Sequence, residues 1–227
     1  MPPSVWRLFK QSAIVFQKDL QLEFRTRYAL NAIALFAVTT LTVISFSIGP
    51  TRLSIVVLAP LLWIVLFFSA MSGLSHVFVR EEEQQTADTL RLVLPPNAVL
   101  LGKWFFNVVL LFGLELIIIP LFFVMMSAQI GNAGIFFTIL ACGTLGLASV
   151  ATIIAAIISL ASSRGALFAV LAFPISLPIL IPAINSTKLA FENGIFSDCL
   201  SDLQVLISFT IVIVTTSLLV FEFVWRK

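Results

Sequence analysis

Glu115, in GLELIIIPLFF, is a carboxyl group inside an apolar run. Such a group is costly to place in lipid. It either binds a proton or ligand, or it forms a hydrogen-bonded pin between helices. The sequence leaves both readings open, and Pro120 follows in the same run, where it can bend a helix. The single histidine, His76, stands in SHVFVREEE. An imidazole can ligate haem or a metal, but this one has no companion ligand and reads as a polar residue at the end of an apolar run. Cys142 lies in an apolar run and Cys199 in a polar one, without CxxC or Cys/His spacing, so both are expected to be unpaired thiols. The nearest approach to a nucleotide-binding loop is Leu101-Gly102-Lys103-Trp104. It has no glycine-rich stretch before it and no Ser or Thr after the lysine to hold magnesium. The chain therefore cannot bind ATP as a P-loop enzyme, and one histidine supports no Ser/His/Asp or Cys/His constellation, so no catalytic residue is expected. The densest group of charges is VREEEQQTADTLRLVLPP, with Glu81, Glu82, Glu83 and Asp88 close together between apolar flanks.

The elements that carry these residues read as membrane spans. Of 227 residues, 60% are hydrophobic and 11% charged, with a mean hydropathy of +1.12. A water-soluble domain carries about a quarter charged residues, so lipid is the solvent for most of this chain. A hydrocarbon core about 30 Å thick needs about 20 apolar residues in a helix. Six runs qualify: 28–49, 53–75, 99–127, 133–161, 165–183 and 203–225. The expectation is an all-α integral membrane protein with one transmembrane domain over 1–227. Basic residues set its orientation. Arg7, Lys10, Lys18, Arg25, Arg27, Arg80, Arg91, Lys103, Arg164, Arg226 and Lys227 fall on one side, and only Arg52 and Lys188 on the other. Both termini and the 76–98 loop are then cytoplasmic, while the loop with Glu192, Asp198 and Asp202 lies outside. A net charge of +2 without a basic patch argues against nucleic acid. No cleavable signal peptide is expected, because the first twenty residues stay polar and amphipathic.

Within 1–27, Val5, Leu8, Phe9, Ala13, Phe16 and Leu20 share a helical face opposite Arg7, Lys10, Lys18, Gln21 and Arg25, as in a helix lying in the cytoplasmic interface. The fourth span carries two ladders of small residues, Thr144-Ala148-Thr152-Ala156 and Ala151-Ala155-Ser159-Ser163, spaced for close helix packing, more within the bundle than between subunits. Pro174, Pro178 and Pro182 share one face of the fifth span, which is either a bent or broken helix lining a cavity or a partner surface, or a kinked packing helix. Ala87, Leu90 and Leu94 give the acidic loop a helical stripe, and Pro95-Pro96 ends it. One short helix over 80–94 follows, either a solvated loop or a rigid element that transmits force from a partner.

The order of REEEQQTADTLRLVLPP, LGKW and ELIIIPLF closely resembles the haem exporter protein B (CcmB) family, the permease subunit of the cytochrome c maturation ABC complex. The resemblance covers essentially the whole chain. It falls on Arg80, Glu81, Glu83, Thr86, Asp88, Leu90, Pro95, Gly102, Lys103, Glu115, Leu116 and Pro120, and on Lys18, Asp19, Glu23 and Arg25 before the first span. Gln84-Gln85 stands where a glycine-containing turn is common, which leaves the loop's shape open. The resemblance implies an export-type ABC permease bundle. Arg80, Glu81, Glu83, Thr86, Asp88 and Leu90 would couple it to an ATPase subunit, with Glu115, Pro120, Pro174, Pro178 and Pro182 as intramembrane functional candidates. It implies haem as a transported or handled ligand rather than a covalent cofactor, and ATP only through the partner subunit. The other implied partners are a haem-handling membrane protein with a Trp-rich motif, a small membrane subunit and, indirectly, a periplasmic haem chaperone. The expected location is a bacterial inner membrane, with an organelle membrane as the other setting. Two alternatives stay open: an ABC exporter of another substrate, and a proton-coupled carrier working through Glu115.

Overall fold

A helix satisfies its own backbone, which is what an apolar chain in lipid requires. The computed structural model describes residues 5–49, 53–74, 76–159 and 164–225. The helices are α1 (Val5–Thr26), α2 (Tyr28–Ile48), α3 (Ile55–Leu74), α4 (His76–Glu83), α5 (Ala87–Val93), α6 (Pro96–Met126), α7 (Ala133–Ile158), α8 (Arg164–Phe191) and, after a short 3-10 turn at Phe196–Cys199, α9 (Leu200–Trp225). Among the described residues six helices are long and apolar enough to cross a membrane. The chain is an all-α membrane protein with the expected six spans. Residues 160 and 161 of the expected fourth span, Ser163 of its ladder, and Arg52, Arg226 and Lys227 of the charge pattern lie outside the described residues, as do residues 1–4 and 75.

Two expectations are corrected. The fifth span does not stop at 183: α8 runs on to Phe191 through Pro174, Pro178 and Pro182. Its polar extension is stabilised across the bundle, where Ser186 Oγ donates to Asp202 (2.8 Å) and Trp63 Nε1 donates to Thr187 (2.9 Å). Pro174 is exposed, Pro178 half-buried and Pro182 buried, so the three do not line a common cavity. The 80–94 helix is also two helices. Gln85 takes a left-handed conformation (φ 56°), the role glycine has in such turns, and separates α4 from α5. Thr86 closes the turn, its N–H donating to Glu81 O at 3.0 Å.

The centre of the bundle is α7, which touches α3, α4, α6, α8 and α9. Its small residues explain this position. Thr144, Ala148, Thr152, Ala156, Ala151, Ala155 and Ser159 are all buried, so both ladders serve internal packing. A Cβ at Gly143 would stand 2.1 Å from Cη2 of Trp63, so α3 rests directly on the backbone of α7. Polar residues of α7 face α6: Asn107 Nδ2 donates to Thr152 of the first ladder at 2.8 Å, and Trp104 Nε1 donates to Ser149, outside both ladders, at 2.8 Å.

α6 has 31 residues and is therefore about 46 Å long, well beyond the hydrocarbon thickness. Its first turns, opened by Pro95-Pro96, extend toward the α4–α5 side. There α1 crosses it. The buried face of α1 is Ser12, Val15, Asp19 and Glu23, while Phe9 is 51% exposed. This differs from the apolar face read from the sequence. Charge pairing and close approach decide which side of α1 meets α6, and its large apolar side chains (Trp6, Phe9, Ile14 and Phe24) are left outward. A bend at Arg27 (φ 53°) turns α1 into α2, and Glu23 caps the new helix by accepting from Leu30 N at 2.9 Å.

Candidate functional site

The α4–α5 hairpin is fixed from two sides. On one side Glu81 points into the protein and is 4% exposed. Lys103 of α6, fully buried, donates to Glu81 Oε1 (3.1 Å), to Asp19 Oδ2 of α1 (3.2 Å) and to the Val77 carbonyl (2.8 Å). Lys18 of α1 bonds to the same Glu81 oxygen and to Asp19 (3.1 Å). Thr86 Oγ1 donates to Glu81 Oε2 at 2.5 Å. Two ammonium groups and two carboxylates thus form a neutral quartet joining α1, α4 and α6. Burial works against the charge on Lys18, but Asp19 and Glu81 outweigh it and hold its pKa above the ordinary lysine value.

On the other side Arg91 of α5 reaches the end of α9. Its Nε donates to the Trp225 carbonyl (3.1 Å), and its guanidinium lies 4.9 Å from the Trp225 ring centroid. The same guanidinium bonds Glu82 (2.5 Å) and Asp88 (2.7 Å). Phe78 of α4 packs against Phe221 and Trp225, with centroids 5.6 and 6.2 Å away. Removing Arg91 breaks only part-exposed contacts, so Arg91→Met is expected to cost about 1 kcal/mol or less. Its effect is local: hydrogen exchange at 87–93 accelerates by roughly fivefold while exchange in α7 is unchanged. Peptide-resolved exchange measures both.

Not all the sequence candidates reach the surface. Glu81 is inside, Thr86 orients it, and Leu90 is half-buried against the core. Arg80 and Glu83 line a cleft of about 430 Å³ between the α1–α2 elbow and α3–α4, together with Glu23, Tyr28 and His76. His76 is held there edge-on to Tyr28, centroids 5.0 Å apart. Asp88 is outward, its side chain 83% exposed. Beside it stand Leu92 and Val93, 88% and 69% exposed, which the sequence reading passed over. Glu115 is far from this hairpin. It is 7% exposed and bonded by Thr144 of α7, so it pins α6 to α7. Pro120 is exposed on the bundle's outer surface.

A profile of the CcmB protein family matches residues 10–224. The chain belongs to the CcmB family. CcmB membership makes it a multi-pass membrane component of haem export in cytochrome c maturation, a permease that works in an ABC complex with an ATP-binding subunit. No curated protein matches the chain. The residues that carry the CcmB resemblance are dispersed in sequence, yet Lys18, Asp19, Glu81, Thr86 and Lys103 converge on one cluster. The contribution of Lys103 was missed because its partners are distant in sequence. The available signal was a run of charges, KDLQLEFR, on what reads as a helix against a membrane.

Proposed function

We propose that this permease takes force from its ATP-binding partner through α5, and that the partner's docking surface is the exposed strip formed by Asp88, Leu92 and Val93. The carrying observation is that Leu92 and Val93 are exposed on a charged hairpin, not on a span. Exposed apolar residues on α2, α6, α8 or α9 face lipid, but two adjacent ones on a cytoplasmic hairpin call for a protein. The double attachment of the hairpin supports the reading. A push on α5 meets Arg91–Trp225 on α9 and Glu81–Lys103 on α6, so the load reaches the spans rather than dissipating in a loop.

In this reading both termini are cytoplasmic and the protein resides in a bacterial inner membrane. ATP hydrolysis by the partner drives either haem transfer or release of the haem-loaded periplasmic chaperone. The haem-handling membrane protein and the small membrane subunit complete the assembly. Among the described residues no group of His, Cys, Asp or Glu side chains is arranged to hold a metal ion, which favours a role in release over ligation of haem within this chain. The test is co-purification. Leu92→Asp with Val93→Asp is expected to reduce recovery of the ATP-binding subunit at least tenfold, about 1.4 kcal/mol of lost association, with the melting temperature of the permease unchanged. Full recovery of the partner would remove α5 as the docking surface.

A further inference from the structure

Two buried polar atoms meet at one place in the middle of the bundle. Glu115 Oε2 and Ser69 Oγ have no hydrogen-bond partner among the described residues. Glu115 is 7% exposed and Ser69 1%. Both line the same small void, where α2, α3, α6 and α7 converge and where Ile33, Leu66, Leu114 and Leu147 supply apolar walls. The other carboxyl oxygen of Glu115 is already engaged by Thr144. The void measures about 10 Å³, the lower edge of the room one buried water needs.

We propose that this void is a binding site for a single ordered water molecule, which donates to Glu115 Oε2 and accepts from Ser69 Oγ. The polar partners number two, the minimum for a buried water. Each is a group that loses its hydration on burial and regains a bond only through such a bridge. The site excludes other ligands by size and by donors. It is too small for an organic molecule, and one carboxyl oxygen with one hydroxyl falls far short of the six or more oxygens that calcium or magnesium takes.

The bridge has a mechanical consequence. Through Thr144, Glu115 already joins α6 to α7; through the water, α3 is joined to the same carboxyl. α3 is the span that leads into the α4–α5 hairpin, so a shift of the hairpin that moves α3 must stretch or break a bond at Glu115. The water site itself stands whether or not α5 is the docking surface.

Two measurements test it on the full-length chain. A density map that resolves ordered waters is expected to show one oxygen atom within hydrogen-bond reach of both Glu115 Oε2 and Ser69 Oγ. A resolved void with no such atom, or a direct Ser69–Glu115 bond, overturns the proposal. The second measurement is thermal unfolding of Ser69→Ala with and without Glu115→Leu. Ser69→Ala removes one of the water's two partners, so it is expected to melt lower than the unaltered chain. In a Glu115→Leu background the other partner is already gone and the Ser69 hydroxyl is stranded, so adding Ser69→Ala is expected to raise the melting temperature. If Ser69→Ala melts higher with Glu115 present, the hydroxyl has no partner to lose, the void is dry and the proposal fails.

Discussion

Lys103→Met lowers the unfolding free energy by about 3–5 kcal/mol, the expected penalty for breaking a buried ion cluster by removing one partner. The lysine is fully buried and answers Asp19, Glu81 and the Val77 carbonyl together. Methionine fills a similar volume, so the loss comes from electrostatics rather than from a cavity. Without the ammonium, two carboxylates that are 7% and 4% exposed share only Lys18. A second substitution separates this cause from general damage. Adding Glu81→Gln removes the unbalanced charge, and the double variant is expected to recover part of the melting temperature lost by Lys103→Met alone. Thermal unfolding in detergent measures both, and a double variant that melts lower than the single one would contradict the assignment.

Gly102→Leu separates α1 from α6. A Cβ at Gly102 would stand 2.6 Å from Cβ of Val15 and 2.7 Å from the Ser12 carbonyl oxygen. Neither atom can swing aside, because one is backbone and the other is fixed to it, so α1 itself must lift. Overpacking of this kind costs about 1–3 kcal/mol. Here it also pulls Asp19 away from Lys103, whose position on the next residue of α6 depends on the same close approach. The expected result is a lower melting temperature together with faster proteolysis within α1. Gly113 is the control on the same helix: a Cβ there meets nothing within 4 Å, so Gly113→Ala is expected to be neutral or slightly stabilising, since alanine is the better helix former. Equal effects at the two glycines would mean that α1 does not need the contact.

These two positions show what the sequence can and cannot convey. Spans such as 28–49 and 133–161 were legible because a long apolar run in lipid has only one local solution, and the observed α2 and α7 begin at the expected residues. The expected fifth span ends at 183, whereas α8 continues to Phe191. Asn185, Ser186, Thr187 and Lys188 look like a loop by hydropathy, yet Ser186 and Thr187 are satisfied by Asp202 and Trp63, partners no local reading can supply. The split of the hairpin is hidden for a related reason: Gln85 adopts the left-handed backbone without being glycine, and the Thr86 N–H closes the turn on the Glu81 carbonyl while its hydroxyl holds the Glu81 carboxylate. Lys103 drew notice as part of a failed nucleotide-binding motif and as one of many positive charges. Its role depends on Asp19 and Glu81, which meet it only after α1 folds across α6. The buried face of α1 is displaced from its apolar stripe for the same cause: Phe16 and Leu20 still pack on the core, but Asp19 is buried against Lys18 and Lys103, and Glu23 accepts from Leu30 N.

If this CcmB-family permease is driven through the exposed strip of α5, cytochrome maturation depends on Leu92 and Val93. Haem staining of c-type cytochromes reads this out, in a strain that lacks the chromosomal copy and carries either the unaltered chain or Leu92→Asp with Val93→Asp at equal membrane abundance. Haem-stained cytochromes are expected with the unaltered chain and a loss of at least tenfold with the variant. Equal staining in the two strains would contradict drive through α5.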